Sequence, residues 1–151
     1  MRIVLSAALL LTVSLTAADQ ARQPTPMLSV FKTPTCGCCA KWVDHMRQNG
    51  FNVHVTDLND LSAIKTKHGV PPRLQSCHTG LVNGYVVEGH IPAADVKRLI
   101  KDKPAVAGIA VPGMPSGSPG MEVPGITAAA YQVLSFDKAG ATKVFATHGG
   151  R

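Results

Sequence analysis

The sequence predicts an α/β (α+β) domain: a mixed sheet flanked by helices, with a Pro/Gly-rich loop and a C-terminal β-hairpin behind it. Three observations carry this. Short alternating or apolar runs, which read as strands, are interleaved with stripes of helical period. Asn83-Gly84 lies between two strand-like runs and marks a tight antiparallel hairpin. Cys36-Gly-Cys-Cys39 sits where the first strand turns into the first helix. At 151 residues, 45% apolar and 16% charged, the chain can build one core and is too apolar for disorder. It is too short for an enzyme with separate cofactor and substrate domains.

The N-terminus reads as a signal peptide over residues 1–18. Arg2 precedes a nearly unbroken apolar stretch, Ile3–Leu15, and the small residues Ala17-Ala18 follow. A spanning helix needs about 20 apolar residues, and Asp19, Gln20 and Arg22 end the run first. No cysteine follows closely enough for a lipid anchor. Cleavage is expected after Ala18, followed by a flexible tether over 19–26. The destination is then the periplasm, where disulfides can form, with no stable membrane insertion after cleavage. The formal charge is +6, from 15 Lys+Arg against 9 Asp+Glu, but the basic residues are scattered and aromatics are 5% of the chain. Nucleic acid is therefore not an expected partner.

One domain is expected over 27–147. Met27–Lys32 reads as a strand. Cys39, Trp42, Val43 and Met46 then fall at i, i+3, i+4 and i+7, the apolar stripe of a helix that Asn49-Gly50 ends. Phe51, Val53 and Val55 alternate with polar residues, a half-buried strand. Asp60 can cap a second helix, with Leu61 and Ile64 inward and Gly69 after its end. His78–Val82 and Tyr85–Glu88 form the hairpin around Asn83-Gly84. Pro92 opens a third helix with Val96, Leu99 and Ile100 on one face. Residues 104–125 hold five Pro and five Gly and read as loop. Tyr131–Phe136 and Thr142–Thr147 form a second hairpin, and 148–151 a tail. The order β-α-β-α-β-β-α, with a right-handed parallel crossover first and Cys-x-x-Cys at the first strand–helix turn, is thioredoxin-like.

Four cysteines carry the chemistry, and three of them fall within residues 36–39. A helix N-terminus favours thiolate. Two structural disulfides are the plainer reading of four cysteines in an exported chain, but three crowded into Cys-Gly-Cys-Cys suit it poorly. The hairpin supplies a ruler: with a two-residue turn, Cys77 faces His90 and His78 faces Gly89. Cys77-His78 then falls where glutaredoxin-like proteins keep Val and cis-Pro, and a thiol and an imidazole replace a residue that cannot bind metal. Cys36, Cys38, Cys39 and Cys77 are expected to converge.

Soft thiolates select Cu(I), zinc or iron–sulfur. Zinc wants one closed tetrahedral shell, which adjacent Cys38-Cys39 make awkward. Cuprous ions accept two or three thiolates and share sulfurs, so a multinuclear Cu(I) site suits crowded cysteines. His78 and His90 are either ligands or hydrogen-bonded groups shaping the site. Beside a thiolate, the His90 cation would be favoured in metal-free protein. Met114 and Met121 either add thioethers or pack the loop onto the core. His54, His45, His68, Lys65 and Lys67 read as solvated surface, and Trp42 as core beneath the cysteines. Asp44 and Asp57 show no carboxylate pairing for glycosidase chemistry, and no phosphate loop or serine elbow is present.

Taken together, Cys36-Gly-Cys-Cys39 with Trp42, Gly50-Phe51, Gly69-Val-Pro71, Ser76-Cys-His-Thr79, Glu88-Gly-His-Ile-Pro92 and Val111 to Glu122 resemble the CopG-type periplasmic copper-resistance proteins, over residues 28–125. The resemblance implies a thioredoxin-like domain that binds copper through Cys36, Cys38, Cys39 and Cys77. It also implies a redox role in copper detoxification, with copper ions and other periplasmic copper-handling proteins as partners. Gly80 departs from the alanine expected there. The alternative is a thiol–disulfide oxidoreductase with Cys36 as nucleophile and Cys39 as resolving thiol. Sequence leaves open whether either chemistry turns over as an enzyme.

Overall fold

The computed structural model describes residues 26–150. The expected signal peptide, residues 19–25 of the tether and Arg151 lie outside them. The elements are β1 (Met27–Lys32), α1 (Gly37–Gln48), β2 (Asn52–Asp57), α2 (Ser62–Lys67), a 3-10 turn (Pro72–Leu74), β3 (Thr79–Val82), β4 (Tyr85–Glu88), α3 (Ala93–Asp102), β5 (Gly108–Ala110), β6 (Tyr131–Phe136) and β7 (Thr142–His148). The strands form one mixed sheet in the order β2-β1-β3-β4-β5-β6-β7. Pairing is parallel for β1–β2 and β4–β5 and antiparallel elsewhere. The first four strands with α1 and α3 make the thioredoxin-like unit, and β5 to β7 widen it.

Local chemistry explains the element ends. In α1 the buried residues are Cys39, Trp42, Val43 and Met46, the stripe read from the sequence. Asn49 caps the helix and Gly50 follows at φ +86°, a left-handed position where glycine avoids the Cβ clash. Asp60 Oδ1 accepts from Ser62 N at 2.9 Å, tying down the start of α2. The hairpin turn has Asn83 at φ +48° and Gly84 at φ +84°, as a type I′ turn requires.

Neighbouring residues of a strand face opposite sides. Val87 packs with Trp42, Val43, Val96 and Leu99 beneath α1 and α3. Val86 packs with Val70, Leu74 and Phe136 on the other face. The sheet is thus covered on both sides, and its central strands are buried.

Two boundaries and one burial differ from expectation. Residues 104–125 are not all loop, because Gly108–Ala110 form β5 between β4 and β6. A Cβ on Gly108 would collide with the Val86 carbonyl and come within 2.7 Å of Val86 Cβ. Glycine is what lets β5 close on β4, so it marks close backbone approach rather than a break. The tail starts later than 148: His148 closes β7 opposite Tyr131 and bonds Asp95 Oδ2 at 2.6 Å. Lys65 is not solvated but buried, for a reason given below.

Candidate metal centre

The N-terminal turn of α1 and the first residues of the β3–β4 hairpin build the centre. Cys36 is the N-cap of α1, and its Sγ accepts from Cys39 N at 3.3 Å. Cys36 and Cys39 form a disulfide, while Cys38 and Cys77 are free and half-buried. Cys38 Sγ lies 3.4 Å from Cys36 Sγ, and Cys39 Sγ lies 3.9 Å from the Cys77 carbonyl. The four Sγ atoms fall within 4.8 Å of one another. The sequence expected that convergence; the disulfide takes two of the four sulfurs out of use as thiolates in this state.

Cys77 also joins a second group, with ring nitrogens of His78 and His90 within the same 4.8 Å. The hairpin register delivers this: Thr79 pairs with Glu88, and Gly89 N bonds the His78 carbonyl at 3.1 Å. Cys77 Sγ is then 3.0 Å from His90 Nε2 and 3.4 Å from His78 Nδ1. His90 Nδ1 lies 2.8 Å from the Pro119 carbonyl, which can only accept, so the ring proton sits on Nδ1. Nε2 therefore turns a lone pair toward Cys77, able to accept the thiol proton or to bind a metal. His78 is fully buried, lies against the Trp42 ring at a centroid distance of 4.2 Å, and its Nε2 has no hydrogen-bond partner among the described residues. Trp42 donates from Nε1 to the Ile91 carbonyl at 2.9 Å.

The electrostatics correct one expectation. His90 is not favoured as a cation. Burial lowers its pKa, and burial, with His90 and Lys65 nearby, holds His78 well below the usual range. Burial, reinforced by the neighbouring Cys38, raises the Cys77 thiol to about 11. Burial thus disfavours the charged form of each of Cys77, His78 and His90.

Sequence reasoning missed the support beneath the centre. Glu88 is fully buried, and its carboxylate accepts from Ser76 N at 2.7 Å, Thr79 Oγ1 at 2.7 Å and Lys65 Nζ at 2.5 Å. Lys65 Nζ also donates to Thr79 Oγ1 at 3.0 Å. This network grips the chain on both sides of Cys77-His78. The hairpin register held the signal, since Glu88 shares a face with Val86 and so points toward α2, where Lys65 lies.

The Pro/Gly-rich segment closes the other side. Ser76 Oγ donates to the Gly113 carbonyl at 2.6 Å. A Cβ on Gly120 would come within 2.7 Å of the Cys38 carbonyl and 2.9 Å of Trp42 N. Met114 is 54% exposed and Met121 half-buried. No hydrogen-bonding contact among the described residues joins either thioether to the thiols. His45 is half-buried rather than free, and its Nε2 accepts from Ala93 N at 3.1 Å.

The arrangement is similar to known structures. Two solved structures described as copper resistance protein copG, in forms 2 and 1, are 43% and 44% identical to this chain. Each match covers 82% of this chain and 98% of the other, with TM-scores of 0.78 and 0.77. The chain belongs to the CopG family. Residues 74–121 of this CopG-family chain also match a family described as a protein of unknown function, DUF411. That match begins at Leu74, so it takes in Cys77, His78 and His90 but not the Cys36–Cys39 turn. No curated protein matches the chain.

Proposed function

We propose that this CopG-family protein is an exported copper-binding protein of copper resistance, holding Cu(I) through the thiolates of Cys36, Cys38, Cys39 and Cys77. The observation that carries this is the meeting of four sulfurs within 4.8 Å, from two separate parts of the chain. Soft, crowded, bridging-capable donors suit cuprous ions better than a closed zinc shell. Copper resistance in the names of the two similar structures supports the same reading. His90 Nε2, His78 and the thioethers of Met114 and Met121 are further candidate ligands or neighbours. The signal-peptide pattern of residues 1–18 supports export to the periplasm, where other copper-handling proteins would be its partners. Among the described residues no helix is long and apolar enough to cross a membrane.

The disulfide adds a redox reading. Oxidising the Cys36 and Cys39 thiolates to a disulfide releases two electrons, enough to reduce two Cu(II) to two Cu(I). A thiol reductant would reset the pair. The same disulfide favours the second reading, a thiol–disulfide oxidoreductase using Cys36 as the reachable sulfur and the fully buried Cys39 as its partner.

Titration of the reduced protein with Cu(I) and Zn(II) against competing chelators tests the choice. Tighter Cu(I) binding that requires both Cys36 and Cys77 supports the copper reading. Cu(I) binding unaffected by Cys77→Ser, with disulfide exchange on model substrates intact, favours the oxidoreductase.

A further inference from the structure

Cys38 and Cys77 are a second pair of thiols beside an existing disulfide. Cys38 Sγ stands 3.4 Å from Cys36 Sγ, and Cys77 Sγ is within 4.8 Å of all three others. Cys39 is fully buried, whereas Cys36, Cys38 and Cys77 are half-buried. Gly37, between Cys36 and Cys38, has nothing within 4 Å of where a Cβ would stand, so no side chain crowds that turn. Thiol–disulfide exchange needs a thiolate, a disulfide sulfur within its reach and a leaving sulfur. The cluster holds all three in one chain.

We propose that the disulfide migrates inside the cluster, from Cys36–Cys39 to Cys38–Cys77, with Cys38 as the relay. In the first exchange the Cys38 thiolate attacks Cys36 Sγ. The bond between Cys38 and Cys36 forms as that between Cys36 and Cys39 breaks, and Cys39 leaves as thiolate. In the second, the Cys77 thiolate attacks Cys38 Sγ. The bond between Cys77 and Cys38 forms, that between Cys38 and Cys36 breaks, and Cys36 leaves as thiolate. Two protons pass from Cys38 and Cys77 to Cys39 and Cys36, and no outside oxidant or reductant is consumed. The intermediate disulfide spans only three residues, a constrained ring, and such disulfides are the reactive ones. The product frees the Cys36–Cys39 dithiol at the helix N-terminus while the chain stays oxidised. An oxidised protein can then offer either a disulfide or a dithiol at the same turn. The migration uses the cysteines of the copper reading but stands without copper.

The test uses metal-free protein with one disulfide and two titratable thiols. It is incubated in mildly alkaline buffer, quenched with acid, alkylated and cut with trypsin. Cleavage after Lys32 and Lys41 keeps Cys36, Cys38 and Cys39 on one peptide, and cleavage after Arg73 and Lys97 puts Cys77 on another. Migration yields the two peptides joined through Cys38 and Cys77, with Cys36 and Cys39 alkylated in that fraction. Cys38→Ser should lose the joined peptide and keep the Cys36–Cys39 link. A disulfide confined to the first peptide, with Cys77 fully alkylated, overturns the proposal. So does a joined peptide that persists in Cys38→Ser. Copper binding can fail with the migration intact, and the reverse, so the two readings are separable.

Discussion

His90 Nε2 lies 3.0 Å from Cys77 Sγ, its lone pair aimed there because Nδ1 is committed to the Pro119 carbonyl. A thiol and an imidazole with no net charge can together become a thiolate–imidazole ligand pair once a metal replaces the proton. Cys77 and His90 lie just beyond the paired ends of β3 and β4, two residues past Thr79 and Glu88, so the hairpin sets their approach.

Removing the thiol should hurt binding more than folding. Cys77→Ser keeps the shape of a half-buried side chain but replaces a soft donor with a hard one. The expected result is Cu(I) affinity weakened at least about tenfold, equivalent to about 1.4 kcal/mol, comparable to the effect of Cys36→Ser. Competition titration with a cuprous chelator reads this, and unchanged affinity would sink the convergence argument.

The imidazole should matter to both redox behaviour and stability. His90→Ala should perturb the redox behaviour of bound copper, because Nε2 stands 3.0 Å from Cys77 Sγ. Because the side chain is fully buried and bonded to Pro119, truncation also leaves a cavity and an unpaired carbonyl, each worth about 1–3 kcal/mol. Faster or slower oxidation of bound Cu(I) is expected together with a lower Tm. His54→Ala, exposed on edge strand β2, should alter neither. Equal small effects from both variants would make His90 a structural residue only.

Glu88 should be the costliest single site outside the cysteines. Glu88→Ala strands the Lys65 ammonium in a buried position and frees Ser76 N and Thr79 Oγ1. A loss of about 3–5 kcal/mol in urea unfolding is expected. Replacing both partners by Leu and Met should recover much of it, since no unpaired charge remains. A single-variant loss below about 1 kcal/mol would show that water reaches the pair.

Stability of the metal-free protein should fall off at both ends of the pH scale. His78, His90 and His45 all have pKa values lowered by burial, so their folded forms bind protons less readily than the unfolded chain. Their contribution is complete above an unfolded value of about 6.5 and is lost as pH drops toward the folded values. Cys77 works in the opposite sense. Its folded pKa is raised from 9.0 to about 11, so its contribution is complete below 9.0 and fades as pH climbs through that interval. Thermal midpoints across this range should form a plateau between the two limits. A flat profile on the acid side would mean the imidazoles charge freely in the fold.

Much of this was legible in the sequence because the decisive pieces are local. The α1 stripe, the Asn83-Gly84 turn and the resulting Cys77–His90 pairing each depend on a few consecutive residues. What escaped was long-range. Lys65 looked solvated because nothing nearby in sequence announces Glu88 across the sheet. β5 looked like loop because Gly108 between Pro104 and Pro112 reads as a breaker until β4 is seen pressed against it. The tail at His148 was hidden in the same way, since Asp95 lies far earlier in the chain.

The two halves of the centre meet across a single ladder, β1 against β3, in which Val30 stands opposite Gly80. A methyl group at Gly80 would touch Leu28 Cδ1 at 3.1 Å and Val87 Cβ at 3.4 Å, tight but relieved by a small turn of the Leu28 tip. The packing that joins the thiol turn to the histidine hairpin therefore accepts a methyl group at Gly80, three residues from Cys77, through one adjustment of a core side chain that touches no ligand.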